Sequence, residues 1–345
     1  RAGASAVKFQ AFSARHFISP LAPGLSHTEG NVFAQMEALE VREDWWGDLK
    51  RCAHDLGLLF GASVFDEHAL QPLLPLGLDF VKIASGELTD LPLMGALVPL
   101  SSRWIVSTGM ATQEEIEWAL EHMLALGLPR PVLLECTSAY PAEPSTVFLH
   151  NIDYLRETFG CPAGFSDHSR GIALALAAVA RGAVVVEKHF TLDRNQPGPD
   201  HPLSSDPAEL AALATGIREI SAALQTNQKA WVGPWEMEGR TLGRKGIVAA
   251  RDLPANHLIG PGDVHLRRPA TGIGAPDLDL VQGARTLQAI PQHTPLTWEM
   301  LAGISRKIDD ETQRKRLKDI ISQLAPPADM GLIVRTAGMD RTKAD

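Results

Sequence analysis

Residues 164–169 read Gly164-Phe-Ser166-Asp167-His168-Ser169, and residues 184–190 read Val184-Val-Val-Glu187-Lys188-His189-Phe190. Between them lies an alanine-rich apolar segment that ends at Arg181-Gly182. A β-branched run that follows an apolar helical stretch is typical of a strand after a crossover helix. The stretch therefore predicts a strand–helix–strand unit with parallel strands. It is not a membrane span, because Arg181-Gly182 interrupts the apolar run.

A histidine lies at or just after the end of each of these two strand-like runs, His168 after the first and His189 after the second. Because the carboxyl ends of neighbouring parallel strands meet at one edge of a sheet, the two imidazoles can hold one divalent metal ion. A lone histidine is more often a packed or surface residue, but a pair placed after two apolar runs favours a site. Ser166 and Lys188 would offer a nearby oxyanion a hydroxyl and a positive charge.

The composition is that of a globular enzyme rather than of a nucleic-acid-binding or membrane protein. The chain has 345 residues, 45% of them hydrophobic, and a formal net charge of −9. This length can bury a large core, and the acidic balance argues against general nucleic-acid binding, which needs a basic surface. Three cysteines without metal-type spacing, and no visible signal peptide or long apolar run, predict a cytoplasmic protein.

Strand-like and helix-like patterns alternate along most of the chain. The predicted strands are Ala6–Phe12, Leu58–Ser63, Phe80–Ile83, Trp104–Ser107, Val132–Glu135, Ala163–Ser166 and Val184–His189. The predicted helices are Asp44–Leu56, Asp66–Leu76, Pro92–Leu100, Thr112–Ala125, Thr146–Phe159, Gly171–Arg181 and Asp206–Leu224. Thr112 and Glu115 have capping-box spacing, which marks the beginning of one helix. The alternation predicts an α/β fold of the (β/α)8 barrel type, whose functional residues lie at the carboxyl ends of the strands.

From about Gly239 the pattern changes to short strands separated by tight turns. The predicted strands there are Gly246–Ala250, Asp252–Ala255, Val264–Arg267, Leu287–Ile290 and Pro295–Thr297. A charged helical stretch, Glu311–Leu324, and a short apolar run then follow. The chain is thus predicted to have three parts: residues 1–235, a small β-rich domain at 239–301, and a foreign-looking α/β tail at 302–345.

Seven motifs occur in the order and spacing of a known family. They are Val7-Lys8-Phe-Gln10, Phe80-Val-Lys82-Ile-Ala-Ser85-Gly-Glu87, Ser107-Thr-Gly109-Met110, Glu135-Cys-Thr-Ser138-Ala-Tyr140-Pro141, Phe165-Ser-Asp-His168-Ser169, Glu187-Lys-His189-Phe-Thr-Leu-Asp-Arg194 and Pro197-Gly-Pro-Asp200-His201. On these motifs the chain resembles the N-acetylneuraminate (sialic acid) synthase family over roughly residues 1–301. The resemblance implies a (β/α)8 TIM barrel that lacks its first βα unit, because in the family a strand carrying a glutamate precedes residue 1.

The resemblance also implies an activity and a set of site residues. Family members condense phosphoenolpyruvate with an N-acetylated hexosamine, N-acetylmannosamine or a 2,4-diacetamido analogue, to a nonulosonic acid and phosphate with C–O cleavage. The implied catalytic residues are Glu87, Lys8 and Lys82. The implied phosphoenolpyruvate-binding residues are Lys8, Gln10, Ser63, Lys82, Ser85, Ser107, Ser138 and Ser166. Tyr140, Asp200 and Arg268 would bind the sugar, and His168 and His189 would bind Mn²⁺ or Mg²⁺.

Two further implications concern the end of the chain. Residues 239–301 resemble the SAF (antifreeze-like) domain of the family, which lies over the partner's active site in a domain-swapped homodimer. Residues 302–345 resemble a piece of the ribonuclease E/G family, in which Arg335 and Thr336 would recognise a 5′-monophosphate. The tail is interpreted as a fusion without activity, because it carries neither the metal-binding aspartates nor the RNA-binding domain of that family.

Three alternative functions are also open. Lys82 or Lys188 could form a Schiff base, as in class I aldolases, but the two histidines then have no role. A chain without its first βα unit could bind ligand yet turn over slowly, because the sheet has an open edge. An RNA 5′-end-binding function led by the tail conflicts with the net negative charge.

Overall fold

The computed structural model describes residues 2–22, 32–100, 103–225 and 232–304. The chain divides into two compact units, Arg1–Gln228 and Lys229–Asp345. The predicted helix Glu311–Leu324, together with Arg335 and Thr336, lies outside the described residues. None of the helices in the described ranges is long and apolar enough to cross a membrane.

A seven-stranded parallel sheet forms the centre of the first unit, and its strands follow one another in chain order. They are β1 Ala6–Ala11, β2 Leu59–Val64, β3 Phe80–Ile83, β4 Trp104–Ser107, β5 Val132–Cys136, β6 Ala163–Asp167 and β7 Val186–Lys188. β3 and β4 have the predicted bounds, and the other five differ from the prediction by one or two residues at an end. Sequential parallel order is the arrangement of the predicted barrel fold, with β1 and β7 at the two edges of the sheet.

Helices follow the strands along the chain, and several of them pack on the sheet. They are α1 Ala14–Phe17, α2 Val32–Leu39, α3 Trp46–Asp55, α4 Glu67–Leu70, α5 Leu91–Leu97, α6 Gln113–Ala125, α7 Asn151–Phe159, α8 Ala173–Ala180 and α9 Pro207–Leu224. The predicted capping box is confirmed, since Thr112 and Glu115 each accept a backbone N–H of the other. The predicted helix Asp66–Leu76 is wrong in length. It stops after α4 because Pro72 and Pro75 cannot donate helical hydrogen bonds.

The core of the first unit combines strand residues with the inner faces of the helices. Phe60, Leu133 and Phe165 are at most 1% exposed, as expected for strands of a covered parallel sheet. Packing explains the glycine at position 61, because a Cβ there would lie 2.3 Å from the ring of Phe80 on the neighbouring strand. Several buried polar side chains, among them Ser63, Lys82 and Ser166, interrupt this apolar pattern toward the carboxyl ends of the strands and belong to the candidate site.

The second unit has its own apolar core and two antiparallel strand pairs. Its elements are α10 Met237–Gly243, β8 Gly246–Ala249, β9 Val264–Arg267, α11 Leu278–Val281, β10 Arg285–Thr286 and β11 Leu301–Ala302. β8 pairs with β9, and β10 pairs with β11. Residues 239–301 thus contain short antiparallel strands, as predicted, although three of the five predicted strands do not form.

Three predicted strands of the second unit are wrong: Asp252–Ala255, Leu287–Ile290 and Pro295–Thr297. They contribute only the isolated bridges Leu253–Ile290 and Val248–Pro295. Prolines at positions 254, 291 and 295 lack the backbone N–H that a longer ladder requires. The alternation of apolar residues predicts which positions are buried, but it does not show which residues lack a backbone N–H donor.

Candidate active site

The residues predicted for the site occupy the carboxyl-terminal parts of the strands and the loops that follow. On the strands are Lys8, Gln10, Ser63, Lys82, Ser107 and Ser166; in the following loops are Ser85, Glu87, Ser138, Tyr140, His168, His189 and Asp200. Gln10, Ser63 and Lys82 align in register across β1, β2 and β3. Ser63, Lys82, Ser107 and Ser166 are each at most 2% exposed, so four of the six strand residues are withdrawn from bulk water.

Glu187 lies at the centre of the predicted lysines and serines, although sequence reasoning gave it no role. Its Oε1 accepts a hydrogen bond from Ser166 Oγ at 3.0 Å and lies 3.5 Å from Lys82 Nζ. Its Oε2 lies 3.9 Å from Lys8 Nζ, and Lys8 Nζ also donates to Ser63 Oγ at 3.0 Å. Glu187 could have been recognised from strand alternation. It lies two residues before His189, and residues two apart in a strand lie on the same face.

The contact between Lys8 and Glu187 reports the curvature of the sheet. Lys8 belongs to β1 and Glu187 belongs to β7, which are the two edges of a seven-stranded sheet. A flat sheet would separate these strands by six strand spacings of about 4.8 Å each. Their side chains lie 3.9 Å apart instead, so the sheet curls as a barrel does and brings both edges to one site.

The electrostatics of this group favour an anion. Burial alone would raise the pKa of Glu187, but Lys8, Lys82 and the Ser166 hydroxyl outweigh it and lower that pKa to about 2. Burial lowers the pKa of Lys82, and Glu187 partly offsets this effect. One carboxylate therefore faces two ammonium groups, which leaves positive charge available to a ligand.

Two polar atoms beside this group are buried without a hydrogen-bond partner among the described residues, Glu87 Oε2 and Ser107 Oγ. Burial raises the pKa of Glu87 to about 7, although the positive charge of Lys82 partly offsets this increase. Buried polar atoms without partners are rare in folded proteins and often mark a place where a ligand or water completes the bonding. A carboxyl that titrates near neutral pH is suited to proton transfer.

The loops after β3, β4 and β5 converge at Gly109. A Cβ on Gly109 would lie 2.5 Å from Ser138 Oγ and 2.8 Å from Ser85 Oγ. Ser85 Oγ also lies 3.7 Å from Cys136 Sγ at the end of β5. Glycine therefore lets two predicted phosphate-binding hydroxyls approach the same point, where any larger side chain would displace them.

The two predicted metal ligands lie side by side, with ring centroids 5.4 Å apart. His168 Nδ1 is 2.8 Å from the carbonyl oxygen of Thr137, and His189 Nδ1 is 3.3 Å from Asp200 Oδ2. Because a carbonyl oxygen only accepts, the hydrogen of His168 lies on Nδ1, and the neutral imidazole then keeps its lone pair on Nε2. His189 likewise faces a carboxylate oxygen through Nδ1, which favours the same tautomer. This is the usual arrangement of a metal-binding histidine and its outer partner. The residues present therefore fit a metal ion.

No group of three histidine, cysteine or acidic side chains in the described part of the chain is arranged to hold a metal. An ion at His168 and His189 would thus take its remaining ligands from water or substrate. Such an open site differs from a closed structural zinc site, which uses four protein ligands.

Tyr140 and Asp200 border the histidines. The ring of Tyr140 stacks on His168 with centroids 4.2 Å apart and meets His189 edge-on at 5.9 Å. Tyr140 is 41% exposed, so its outer side can contact a ligand. The hydrogen bond from His189 lowers the pKa of Asp200 and keeps that carboxylate ionised.

One sequence-based expectation is wrong, and another is not tested. Lys188 does not face the oxyanion site, because its side chain lies on the opposite face of β7 and pairs with Asp167 at 2.8 Å. Arg268 lies in the second unit just after β9, where it is exposed, and its role toward the sugar stays a prediction.

Comparison with known proteins adds three family matches. Residues 1–229 match the NeuB family, residues 244–302 match the SAF domain, and residues 293–345 match the ribonuclease E/G family. The last range lies mostly outside the described residues.

Characterised relatives cover most of the chain. The N,N′-diacetyllegionaminic acid synthase of Campylobacter jejuni is 39% identical over 79% of this chain and 84% of its own length. The synthase of the same name from Legionella pneumophila is 35% identical, with 86% of each chain covered. The solved N-acetylneuraminic acid (sialic acid) synthetase of Leptospira borgpetersenii, in complex with citrate, has a TM-score of 0.60 and 32% identity over 69% of this chain and 80% of that one.

Proposed function

The chain belongs to the NeuB family, and on this basis we propose that it condenses phosphoenolpyruvate with an N-acetylated hexosamine to form a nonulosonic acid and phosphate. Two relatives are named as diacetyllegionaminic acid synthases and share 39% and 35% identity with this chain. We therefore propose a 2,4-diacetamido hexose as the preferred sugar, with N-acetylmannosamine as the alternative substrate.

The observation that carries the proposal is the group of two lysines around one carboxylate, with unpartnered or weakly paired hydroxyls beside it. Phosphoenolpyruvate has a carboxylate and a phosphate, so it needs several positive and neutral donors within one small space. Lys8 and Lys82 supply charge, and Ser85, Ser107 and Ser138 supply hydroxyl groups at the ends of three neighbouring strands. Fixed donors in a site withdrawn from water stabilise developing charge strongly.

The proposed chemistry forms one C–C bond and breaks one C–O bond. C3 of phosphoenolpyruvate bonds to the aldehyde carbon of the open-chain sugar, whose oxygen takes up a proton. Water then adds to C2 and loses one proton, which leaves a tetrahedral carbon that carries a hydroxyl and the phosphate. The hydroxyl loses its proton as the bond from C2 to the phosphate oxygen breaks, so that one proton of water balances the sugar hydroxyl and the other balances the released phosphate. Phosphate leaves, and C2 becomes the ketone of the product acid.

Glu87 is the proposed proton acceptor for the water that adds to C2. Its pKa of about 7 means that the carboxylate is substantially populated at neutral pH and can still release a proton afterwards. The lysines hold the phosphate and carboxylate while the charge moves from C3 to the sugar oxygen. Tyr140 and Asp200 border the space in which the sugar would lie, and they would orient it.

We propose His168 and His189 as the holders of Mn²⁺ or Mg²⁺ through their Nε2 atoms. When bound, the ion would act as a Lewis acid that polarises the sugar aldehyde. The outer partners Thr137 and Asp200 keep both imidazoles in the tautomer that can ligate. The proposal further includes a homodimer in which Arg268 reaches the sugar of the other subunit, and a cytoplasmic location.

The test is phosphate release from phosphoenolpyruvate in the presence of each sugar, before and after treatment with EDTA. The proposal predicts release that requires a sugar, is faster with the diacetamido hexose, is abolished by EDTA and is restored by Mn²⁺. Release that is independent of any sugar would contradict it.

A Schiff-base aldolase is the second candidate, because burial lowers the pKa of Lys82 and thereby favours its neutral amine. Borohydride treatment in the presence of pyruvate distinguishes the two. A stable adduct on Lys82 would support the aldolase, whereas an unmodified Lys82 together with EDTA-sensitive phosphate release supports the condensation.

A further inference from the structure

We propose that the buried ion pair between Asp167 and Lys188 positions the two metal-binding histidines, and we name it the Asp167–Lys188 clamp. The inference rests on the proposed function in one respect, namely that His168 and His189 share a metal ion. Asp167 and Lys188 would touch neither substrate nor metal. They are positioning residues that act through the backbone next to each histidine.

The clamp is a closed set of hydrogen bonds around the end of β6. Lys188 Nζ donates to Asp167 Oδ2 at 2.8 Å and also to the carbonyl oxygen of Ser169. The other carboxylate oxygen, Asp167 Oδ1, accepts from the backbone N–H of Ser169 at 2.8 Å and from its hydroxyl at 2.6 Å. His168 lies between the two residues that Lys188 grips, so its backbone is held from both sides.

Strand alternation explains how an ion pair on one face controls side chains on the other. Asp167 pairs in register with Lys188, and Ser166 pairs in register with Glu187. Ser166 and Glu187 are hydrogen-bonded on the site face at 3.0 Å, and the two histidines meet on that same face. A shift of β6 against β7 by one residue would exchange the two faces. The clamp therefore fixes the register on which the Ser166–Glu187 hydrogen bond and the approach of His168 to His189 both depend.

Burial makes the clamp specific. The side chains of Asp167 and Lys188 are 0% and 4% exposed, so any other register would leave two charges in an apolar environment without partners. Such pairs add little net stability compared with apolar residues of the same size, and their best attested use is to specify one arrangement. A position beside a two-histidine site is where such specificity would matter.

The end of β6 is also tied to the loop that carries Tyr140. The carbonyl oxygen of His168 accepts a hydrogen bond from the backbone N–H of Ala142 at 3.0 Å. Because the clamp holds Asp167 and Ser169 on either side of His168, its loss would let the His168 ring move relative to Thr137 and His189. The expected consequence is a weaker metal site in a protein that is still folded.

The experiment compares Lys188→Met, the double variant Asp167→Asn/Lys188→Met and the control Arg181→Met in the full chain. The double variant removes both charges, so it leaves no unpaired buried ion and separates positioning from misfolding. Arg181→Met breaks a different ion pair, with Asp153 on α7. Folding is checked by near-UV circular dichroism, Mn²⁺ binding by electron paramagnetic resonance titration, and the tautomer of His168 in metal-free protein by long-range ¹H–¹⁵N spectra.

The clamp predicts that the folded double variant binds Mn²⁺ about 10- to 100-fold more weakly, because the displaced His168 loses its outer partner Thr137 and such a loss usually has this effect. It also predicts a mixture of His168 tautomers in place of the single Nδ1–H form, while Arg181→Met keeps wild-type values for both. A folded double variant with the wild-type tautomer and wild-type Mn²⁺ affinity would overturn the clamp. Failure of the proposed function is seen separately, as absence of sugar-dependent phosphate release by the wild-type protein.

Discussion

Glu87 combines a buried carboxyl oxygen that has no partner among the described residues with a pKa raised by burial to about 7. If it accepts a proton during the reaction, kcat/KM should rise with pH through about 7 and then level off. Glu87→Gln should abolish this rise of kcat/KM with pH and lower kcat severely. A pH–rate profile of both proteins measures this, and an unchanged rise in the variant would assign it to another group.

The same residue makes a prediction about stability. A carboxyl whose folded pKa of about 7 exceeds its ordinary value of 4.5 favours folding in the protonated form. Its contribution is complete below the ordinary value and is lost as the pH rises through the folded pKa. At pH 8, Glu87→Gln should therefore stabilise the protein by on the order of 1–3 kcal/mol. Urea unfolding at pH 8 and pH 4.5 checks this, since the gain should vanish at the lower pH.

Lys82 is the buried ammonium of the anion site, and its substitution should remove a charge that the phosphate or carboxylate of phosphoenolpyruvate needs. Lys82→Met should lower kcat/KM for phosphoenolpyruvate by about 100- to 1,000-fold, the typical cost of one fixed donor. Lys50→Met is the matched control, because Lys50 donates to the carbonyl oxygen of Leu76 outside the site. Steady-state kinetics measure both, and equal losses in the two variants would contradict the assignment.

At the scale of the elements, strand positions could be predicted because each strand is a short apolar run with turn residues at its ends. Helix lengths were harder to predict, as α4 shows, since prolines overrule an apolar pattern that continues through them. The role of Glu187 was missed for a different reason. Strand alternation places Glu187 on the same face as His189, but its partner Lys8 is distant in sequence and reaches it only because the sheet curls, so no local pattern predicts this ion pair.

Strand parity would have corrected the expectation for Lys188. Glu187 and His189 lie on one face of β7, so the residue between them lies on the other. The histidine pair could be predicted because each histidine directly follows an apolar strand. The loop residues Ser85 and Ser138 depended on the family resemblance, because only the close approach at Gly109 brings their hydroxyls together.

The capping box of α6 supplies a prediction that concerns folding alone. Thr112→Ala removes the hydroxyl that accepts the N–H of Glu115. The variant should lose about 1 kcal/mol in its free energy of unfolding and keep wild-type kcat. Chemical denaturation and the phosphate-release assay measure the two quantities. A large loss of kcat would mean that the beginning of α6 also positions the preceding Ser107–Met110 loop.

At the scale of the whole molecule, the site residues come from one unit except Arg268, and the ribonuclease-like match covers the end of the chain. Deleting residues 305–345 should leave kcat and KM for phosphoenolpyruvate unchanged, because none of the proposed roles lies there. The assay is the same phosphate release, with 5′-phosphorylated RNA added in a second series. Inhibition by RNA that disappears on deletion would instead assign a binding function to the tail.

The most direct test of the central proposal uses phosphoenolpyruvate labelled with ¹⁸O at the oxygen that bridges C2 and phosphorus. The proposed condensation predicts that, with the diacetamido hexose present, the label leaves with the phosphate, because the C2–O bond breaks. The mass of the released phosphate reports this outcome. Label retained in the keto acid product, or no sugar-dependent release at all, would contradict the proposed reaction.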